Sequence, residues 1–316
     1  MQTNTLFSFR SPLGLQHDIQ RISFKPQSKS KGPGVSIVAG LHGNEYDGVY
    51  ICDLLIHHLR ELWQSRPEAF TGSIHIYPAV NPQAIECGER VDPYSAIDLN
   101  RQFDSESRDS IPARIAGALL EDIGRHSDFA FDIHASNLHL SELPQIRIIH
   151  GQEKTLLPLA LHCNMDVVWI HPLGPVYEST LGFNLNRLQI PTLVIETGIG
   201  LRIHPDFCQQ ALDGLLNFLH TTGALNLPSP PTVKTPQTLR PRDVALVQAE
   251  RPGLFVAGIK LGDPIRKGDR IGELRDPALG ICESVIAPES GRVFTLREHP
   301  LTRLGAPLAR IARKSE

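Results

Sequence analysis

The sequence predicts an α/β protein whose mainly parallel or mixed sheet is flanked by helices, followed by a small all-β C-terminal domain. Over the first two-thirds of the chain, short runs rich in Val and Ile alternate with amphipathic stretches. Strands buried on both faces have this composition, and the alternation is typical of α/β domains. Beyond a proline-rich segment, short strand-like runs are separated by glycine-containing turns, which indicates an all-β domain.

The elements of the first domain follow from hydrophobic spacing. Predicted strands cover 35–39, 74–80, 129–134, 146–150, 166–170 and 192–195. Predicted helices cover 47–62, 111–123 and 205–219, each with apolar residues near the helical period. Ser110 is a suitable N-cap for the second of these helices, and Pro112 is tolerated in its first turn. We therefore expect a mainly parallel sheet covered by these helices.

A proline-rich segment divides the chain. Proline at this density excludes helix and central strand, so 226–239 is predicted to be a semi-rigid linker. The chain has 316 residues, and a single core stops growing near roughly 250–300 residues. We expect a large domain at 1–225 and a small β-domain at 240–316. The predicted strands of the small domain cover 244–248, 253–259, 264–274, 282–287 and 291–296.

Composition excludes several classes of protein. The net charge of −3 gives no basic footprint for nucleic acid. No apolar run is long enough to span a bilayer, and the first ten residues lack the apolar stretch of a signal peptide. The five cysteines are scattered, without a C-x-x-C pair, so neither a disulfide framework nor a thiolate zinc site is indicated. We expect a cytoplasmic protein without nucleic-acid or membrane partners.

Polar side chains follow three of the predicted strands. His42 and Glu45 come after the first strand, His134 ends the third, and Glu196 ends the last. Ligands bind at the carboxyl ends of strands in open α/β sheets. Two histidines and a carboxylate make a zinc site with an open position, although such sites accept several divalent metals. A single histidine here could simply hydrogen-bond, and Glu196 could be a helix-capping or salt-bridged glutamate. The repetition at three strand ends nevertheless favours a metal site with an acid nearby.

A further cluster combines arginines with an acidic turn. Arg90 precedes the run Asp98-Leu99-Asn100-Arg101. Guanidinium groups bind carboxylates through two parallel hydrogen bonds, and an asparagine adds a directed donor. On its own this run could be a capped surface turn. Beside a metal site it indicates a substrate that carries a carboxylate.

Taken together, these motifs resemble the succinylglutamate desuccinylase/aspartoacylase family of the zinc carboxypeptidase superfamily. The similar segments span about residues 30 to 225 and occur in the family's order. They are GLHGNE at 40–45, NP at 81–82, DLNRQF at 98–103, DIH at 132–134 and ETG at 196–198.

The resemblance implies a role for each candidate residue. His42, Glu45 and His134 would bind one Zn²⁺ ion, and Glu196 would be the general base and proton shuttle. Asn100 and Arg101 would hold the substrate carboxylate, and Arg90 would polarise the scissile carbonyl. The C-terminal domain resembles biotinyl/lipoyl carrier domains. However, Lys314 is the only lysine from Asp269 onward, so we expect a wall over the site or an oligomer contact, not a covalent carrier.

These inferences predict a zinc-dependent hydrolase that cleaves the amide bond of a small N-acyl amino acid or related compound. One alternative is a metallocarboxypeptidase acting on short peptides, since the same ligands and carboxylate clamp would serve. The other is a non-catalytic binding protein on the same fold. A small molecule bearing a carboxylate is the expected partner, and a homo-oligomer is compatible with the sequence. His139 is expected to face solvent, whereas Tyr177 is a candidate to reach the site from a loop.

Overall fold

The computed structural model describes residues 1–27 and 32–313, so Lys314 lies outside the described residues. The strands are β1 (Gln2–Arg10), β2 (Gln16–Phe24), β3 (Gly34–Ala39), β4 (Ser73–Tyr77), β5 (Phe129–Ala135), β6 (Leu140–Ile149), β7 (Val167–His171), β8 (Thr192–Gly198), β9 (Gln237–Leu239), β10 (Val244–Gln248), β11 (Gly253–Ala257), β12 (Pro264–Ile265), β13 (Arg270–Asp276), β14 (Ile281–Ile286), β15 (Gly291–Arg297), β16 (Leu301–Thr302) and β17 (Pro307–Arg313). The α-helices are α1 (Tyr46–Ser65), α2 (Pro82–Cys87), α3 (Ile111–His126), α4 (Glu153–Ala160), α5 (Leu181–Arg187) and α6 (Pro205–Thr221).

A mixed sheet forms the centre of the molecule, as the sequence predicts. Within the described part of the chain it has 13 strands, with the main order β1-β2-β4-β3-β5-β8-β6-β15-β17-β10. Strands β4, β3, β5 and β8 are parallel neighbours. The next strand, β6, is antiparallel to β8. The carboxyl ends of β3, β5 and β8 therefore lie side by side.

Helices cover both faces of this sheet. Residues alternate between faces along a strand, and on β3 Ile37 packs into one apolar cluster while Val38 packs into another. The first cluster includes apolar residues of α1, α4 and α6, and the second includes those of α3 and α5. Cys52, Cys163 and Cys208 are buried, and all five cysteines are free.

The hairpin of β1 and β2 was not predicted from the sequence. The two strands pair antiparallel, and β2 extends the sheet by pairing with β4. Most residues of β1 are exposed, because it forms the sheet edge. An edge strand needs no continuous apolar run, so the composition used to find the buried strands does not detect it.

The C-terminal region is all-β, as predicted, but its strands belong to two sheets. Strands β14, β13, β11 and β16 form a separate sheet of four strands among the described residues. Strands β15, β17 and β10 instead continue the main sheet through β6. Strand β9, inside the predicted linker, pairs with β7. The domain boundaries and the likeness to carrier domains stay predictions.

Over 1–27 and 32–313, every helix falls short of the length or the hydropathy needed to traverse a bilayer.

Candidate metal centre

The loop between β3 and α1 is shaped by two glycines. Gly40 has a φ of 74°, in the left-handed region that favours glycine. A Cβ on Gly43 would stand 1.9 Å from the carbonyl carbon of Ala84 on α2, so no side chain fits there. This tight turn directs the chain from the end of β3 to Glu45, the N-cap residue of α1.

His42, Glu45 and His134 meet at the ends of β3 and β5. His42 Nδ1 lies 2.7 Å from one carboxylate oxygen of Glu45, and His134 Nδ1 lies 2.8 Å from the other. All three side chains are 4% exposed. Among the described residues, this is the one group of three or more His, Cys, Asp or Glu side chains whose ligand atoms lie within 4.8 Å of one another. The group can hold a metal ion.

Each histidine has a carboxylate on its other ring nitrogen. His42 Nε2 is 3.2 Å from Asp98 Oδ1, and His134 Nε2 is 3.1 Å from Asp132 Oδ1. Metal-binding histidines usually donate their second ring N–H to such a partner, which fixes the tautomer and the ring orientation. The hydrogen bond to Asp98 holds the His42 ring in this way, and Nδ1 of both rings faces Glu45. The donor set and these carboxylate partners fit a divalent ion.

The pKa values of the Glu45 and Asp98 carboxyl groups lie below their usual values. Burial alone would raise the pKa of Glu45, but His42 and His134 hold it well below its usual value. Burial also acts to raise the pKa of Asp98, and the hydrogen bond and charge of His42, together with Arg90, lower it instead. Ionised oxygen and imidazole donors in a dry site favour a cation.

Glu196 lies on β8 beside this group. It is the direct register partner of His134 on β5, and its side chain is 13% exposed. Burial raises the pKa of Glu196 to about 7, against the opposing charges of Arg147 and His134. A carboxylate with a pKa near neutrality can both accept and release a proton at physiological pH.

All seven residues predicted from the sequence line one cavity of about 280 Å³. They are His42, Glu45, Arg90, Asn100, Arg101, His134 and Glu196. Tyr177 reaches the same cavity from the loop before α5, where the sequence left its position open. His139 is exposed, as expected, and its ring stands edge-on to that of His299.

Arg90, Asn100 and Arg101 line the cavity but differ in the partners that they contact within the protein. Arg90 is paired with Asp98 at 3.1 Å and lies 3.6 Å from Glu45. The side-chain oxygen of Asn100 accepts a hydrogen bond from the N–H of Leu181, and its nitrogen lies 3.3 Å from His134 Nε2. Arg101 makes no ion pair with any described residue and donates only to the carbonyl of Asn100. The Arg101 guanidinium is therefore available to an anion.

Sequence reasoning missed Arg147 and the roles of Asp98 and Asp132. Arg147 Nη1 lies 3.1 Å from Glu196 Oε1, and the residue lines the cavity. A signal was present, since Arg147 is a charged residue inside the apolar run Ile146–Ile149 of β6. A buried charge in such a strand needs a partner.

Comparison with known proteins assigns the chain to a family. The model of the succinylglutamate desuccinylase/aspartoacylase catalytic domain matches residues 31–222, more than half of the chain. The chain belongs to this family. It is also similar to the N-alpha-acetyl-L-2,4-diaminobutyric acid deacetylase of Halomonas elongata, with 25% identity over 303 residues that cover 90% of this chain and 83% of the relative.

Solved structures show the same fold as this member of the succinylglutamate desuccinylase/aspartoacylase family. The product-bound ectoine utilization protein EutE (DoeB) from Ruegeria pomeroyi is 21% identical, with a TM-score of 0.81 over 99% of this chain and 95% of that one. A succinylglutamate desuccinylase/aspartoacylase from Rhodobacter sphaeroides is 23% identical, with a TM-score of 0.79 over 95% of this chain and 90% of that one. The likeness extends over the C-terminal β-strands as well as the catalytic domain.

Proposed function

We propose that this protein is a zinc-dependent deacylase that hydrolyses the amide bond of a small N-acyl amino acid. The observation that carries the proposal is the convergence of His42, Glu45 and His134 beside Glu196 in one cavity. Family membership and the deacetylase relative support an amide-cleaving reaction. Because that relative is named for removing an acetyl group, acetyl is the first acyl group to test.

The metal is assigned to three side chains. His42 and His134 would each bind it through Nδ1, and Glu45 through its carboxylate, and three protein ligands are the usual number in a catalytic zinc site. Zinc bound there would act as a Lewis acid on the acyl carbonyl and lower the pKa of water. The partners Asp98 and Asp132 would keep both imidazoles oriented.

Substrate orientation is assigned to Arg101, which has no ion pair within the described part of the chain. Its guanidinium is free to bind the carboxylate of the amino acid, and the Asn100 amide adds a neighbouring donor. Arg90, which lies 3.6 Å from Glu45, would stabilise negative charge on the carbonyl oxygen. The cavity of about 280 Å³ lies near the small end of the usual range for ligand sites, which favours a compact substrate.

Glu196 would move the proton in both halves of the reaction. It accepts a proton from the attacking water as the oxygen bonds to the acyl carbon. It then gives that proton to the amide nitrogen as the carbon–nitrogen bond breaks, which yields a carboxylic acid and a free amine. The pKa of about 7 suits both transfers.

The test is turnover of a mixed panel by the metal-loaded protein, followed by mass spectrometry. The panel holds N-acetyl, N-succinyl and longer N-acyl amino acids together with short peptides. We expect loss of an N-acyl amino acid, and we expect Glu196→Gln to keep its metal and lose nearly all turnover. Trimming of peptides alone would identify a metallocarboxypeptidase. Full metal loading without turnover of either class would favour a binding protein, and undiminished turnover by Glu196→Gln would remove Glu196 from the mechanism.

A further inference from the structure

A row of alternating charges connects the C-terminal strands with Glu196. Arg310 on β17 lies 3.1 Å from Glu142 on β6. Glu142 in turn lies 2.7 Å from Arg147, and Arg147 lies 3.1 Å from Glu196. The row begins on the last strand of the described chain and ends at the candidate base.

Strand register fixes the first step of this row. Thr295 on β15 is the partner of Glu142 on β6, and it is also the partner of Arg310 on β17. Residues that are directly opposite on adjacent strands project to the same face of a sheet. The hydroxyl of Thr295 donates to Glu142 Oε1, the same oxygen that faces Arg310. Pairing of the C-terminal strands with β6 therefore places Arg310 beside Glu142.

An irregularity in β6 fixes the second step. Side chains five residues apart on a regular strand point to opposite faces. The register of β6 against β8 shifts between Glu142 and Gln145, in a stretch that contains Pro144. An extra residue at such a bulge reverses the alternation. Glu142 and Arg147 are thereby brought to the same face, where they make their ion pair.

Glu142 needs both arginines because it is buried. Its side chain is 1% exposed, with Oε1 facing Arg310 and Oε2 bound by Arg147. A buried carboxylate that loses a partner carries a large desolvation penalty. Without Arg310, the neighbouring guanidinium of Arg147 can donate hydrogen bonds to both carboxylate oxygens of Glu142. Arg147 would then turn toward Glu142 and release Glu196.

We propose that Arg310 is a positioning residue that acts through Glu142 to hold Arg147 against Glu196. The inference rests on the proposed function for the role that it gives to Glu196. The contacts that link Arg310, Glu142, Arg147 and Glu196 do not depend on that function. It gives the C-terminal strands a part in catalysis, since they orient the carboxylate that carries the proton.

The test compares Arg310→Met with Arg310→Lys and with a matched control. The control is Arg292→Met, which removes another ion pair between a C-terminal strand and an earlier part of the chain, that of Arg292 on β15 with Asp166 at 3.0 Å. Neither residue of that pair lines the cavity around Glu196. We expect Arg310→Met to lower kcat about 10- to 100-fold, with KM and metal content unchanged, as is typical of lost supporting contacts. Arg310→Lys should restore most of kcat, and Arg292→Met should stay within about twofold of the wild type.

Crystal structures of the two methionine variants make the test independent of the substrate. We expect Arg147 to leave Glu196 in Arg310→Met and to keep its contact in Arg292→Met. An Arg147 that stays on Glu196 in Arg310→Met would overturn the inference, whatever the protein hydrolyses. Equal losses of kcat in Arg310→Met and Arg292→Met would also overturn it, because they would show a general effect on stability. Inactivity of the wild-type protein on every N-acyl amino acid would instead contradict the proposed function and leave the structural comparison decisive.

Discussion

His134 and Glu196 are direct register partners on the adjacent parallel strands β5 and β8. Neighbouring strands lie about 4.8 Å apart, so one hydrogen-bond register sets the spacing between a candidate metal ligand and the candidate base. A shift of that register by one residue would turn one of the two side chains to the opposite face. The geometry of the site thus depends on sheet pairing as well as on the loop that carries His42.

Removal of a histidine ligand is expected to abolish metal binding. His42→Ala leaves Glu45 and His134 as the remaining donors, which is too few for a catalytic zinc site. Elemental analysis after dialysis against zinc should find little metal in this variant. The control is His139→Ala, which removes an exposed histidine outside the cavity. A fully loaded, active His42→Ala protein would contradict the ligand assignment.

Asp98→Asn is expected to weaken metal binding without removing a ligand. An amide at this position holds the His42 ring less well and no longer favours the tautomer with a free Nδ1. Loss of such a partner typically lowers metal affinity about 10- to 100-fold. Competition with a chelator would measure the affinity, with the exposed Asp104→Asn as control. Equal affinities in the two variants would show that Asp98 does not act on the metal.

Arg101→Met is expected to raise KM more than it lowers kcat. The variant would lose the proposed ion pair with the substrate carboxylate. A hydrogen bond to a charged group contributes roughly 1.5–3 kcal/mol, or about 10- to 150-fold in KM. Steady-state kinetics with an acylated amino acid and with its uncharged amide would measure this. Only the charged substrate should be affected, and the exposed Arg187→Met should match the wild type. An equal effect on both substrates would assign Arg101 another role.

Stability is expected to fall in acid because of His75, a buried histidine that does not line the cavity. Burial, together with the charges of Arg21 and His126, lowers the pKa of His75 to about 4. The unfolded chain binds a proton near pH 6.5, so the folded state loses stability as the pH falls from about 6.5 toward 4. This single group contributes on the order of 2–3 kcal/mol of that loss.

Denaturant titrations of His75→Gln at pH 7 and pH 4.5 would test the assignment. The variant lacks the titrating ring, so its free energy of unfolding should fall less than that of the wild type over this range. The exposed His57→Gln should follow the wild type. A difference between His75→Gln and the wild type that does not change with pH would exclude His75 as the cause.

The sequence and the structure agree best where the signal is local. The apolar run before His42 and the apolar residues before Glu196 predicted two buried strands and their polar ends, and the structure has β3 and β8 there. Arg147 could not be assigned, because Glu196 is brought to it by cross-strand pairing and Glu142 by an irregularity within β6. The pairing of β6 with β15 brings together residues such as Glu142 and Thr295 that are distant in sequence. No periodicity within either strand predicts this pairing.

The pairing of β6 with β15 also determines where the chain can be truncated. A fragment ending at residue 239 would keep the candidate metal ligands but would expose the N–H and C=O groups of β6 that now bond to β15. Unpaired strand edges of this kind recruit other strands and lead to aggregation. Buried Glu142 would face solvent beside them. Expression of residues 1–239 alone is therefore expected to yield insoluble protein, although the candidate metal ligands and Glu196 would all be present.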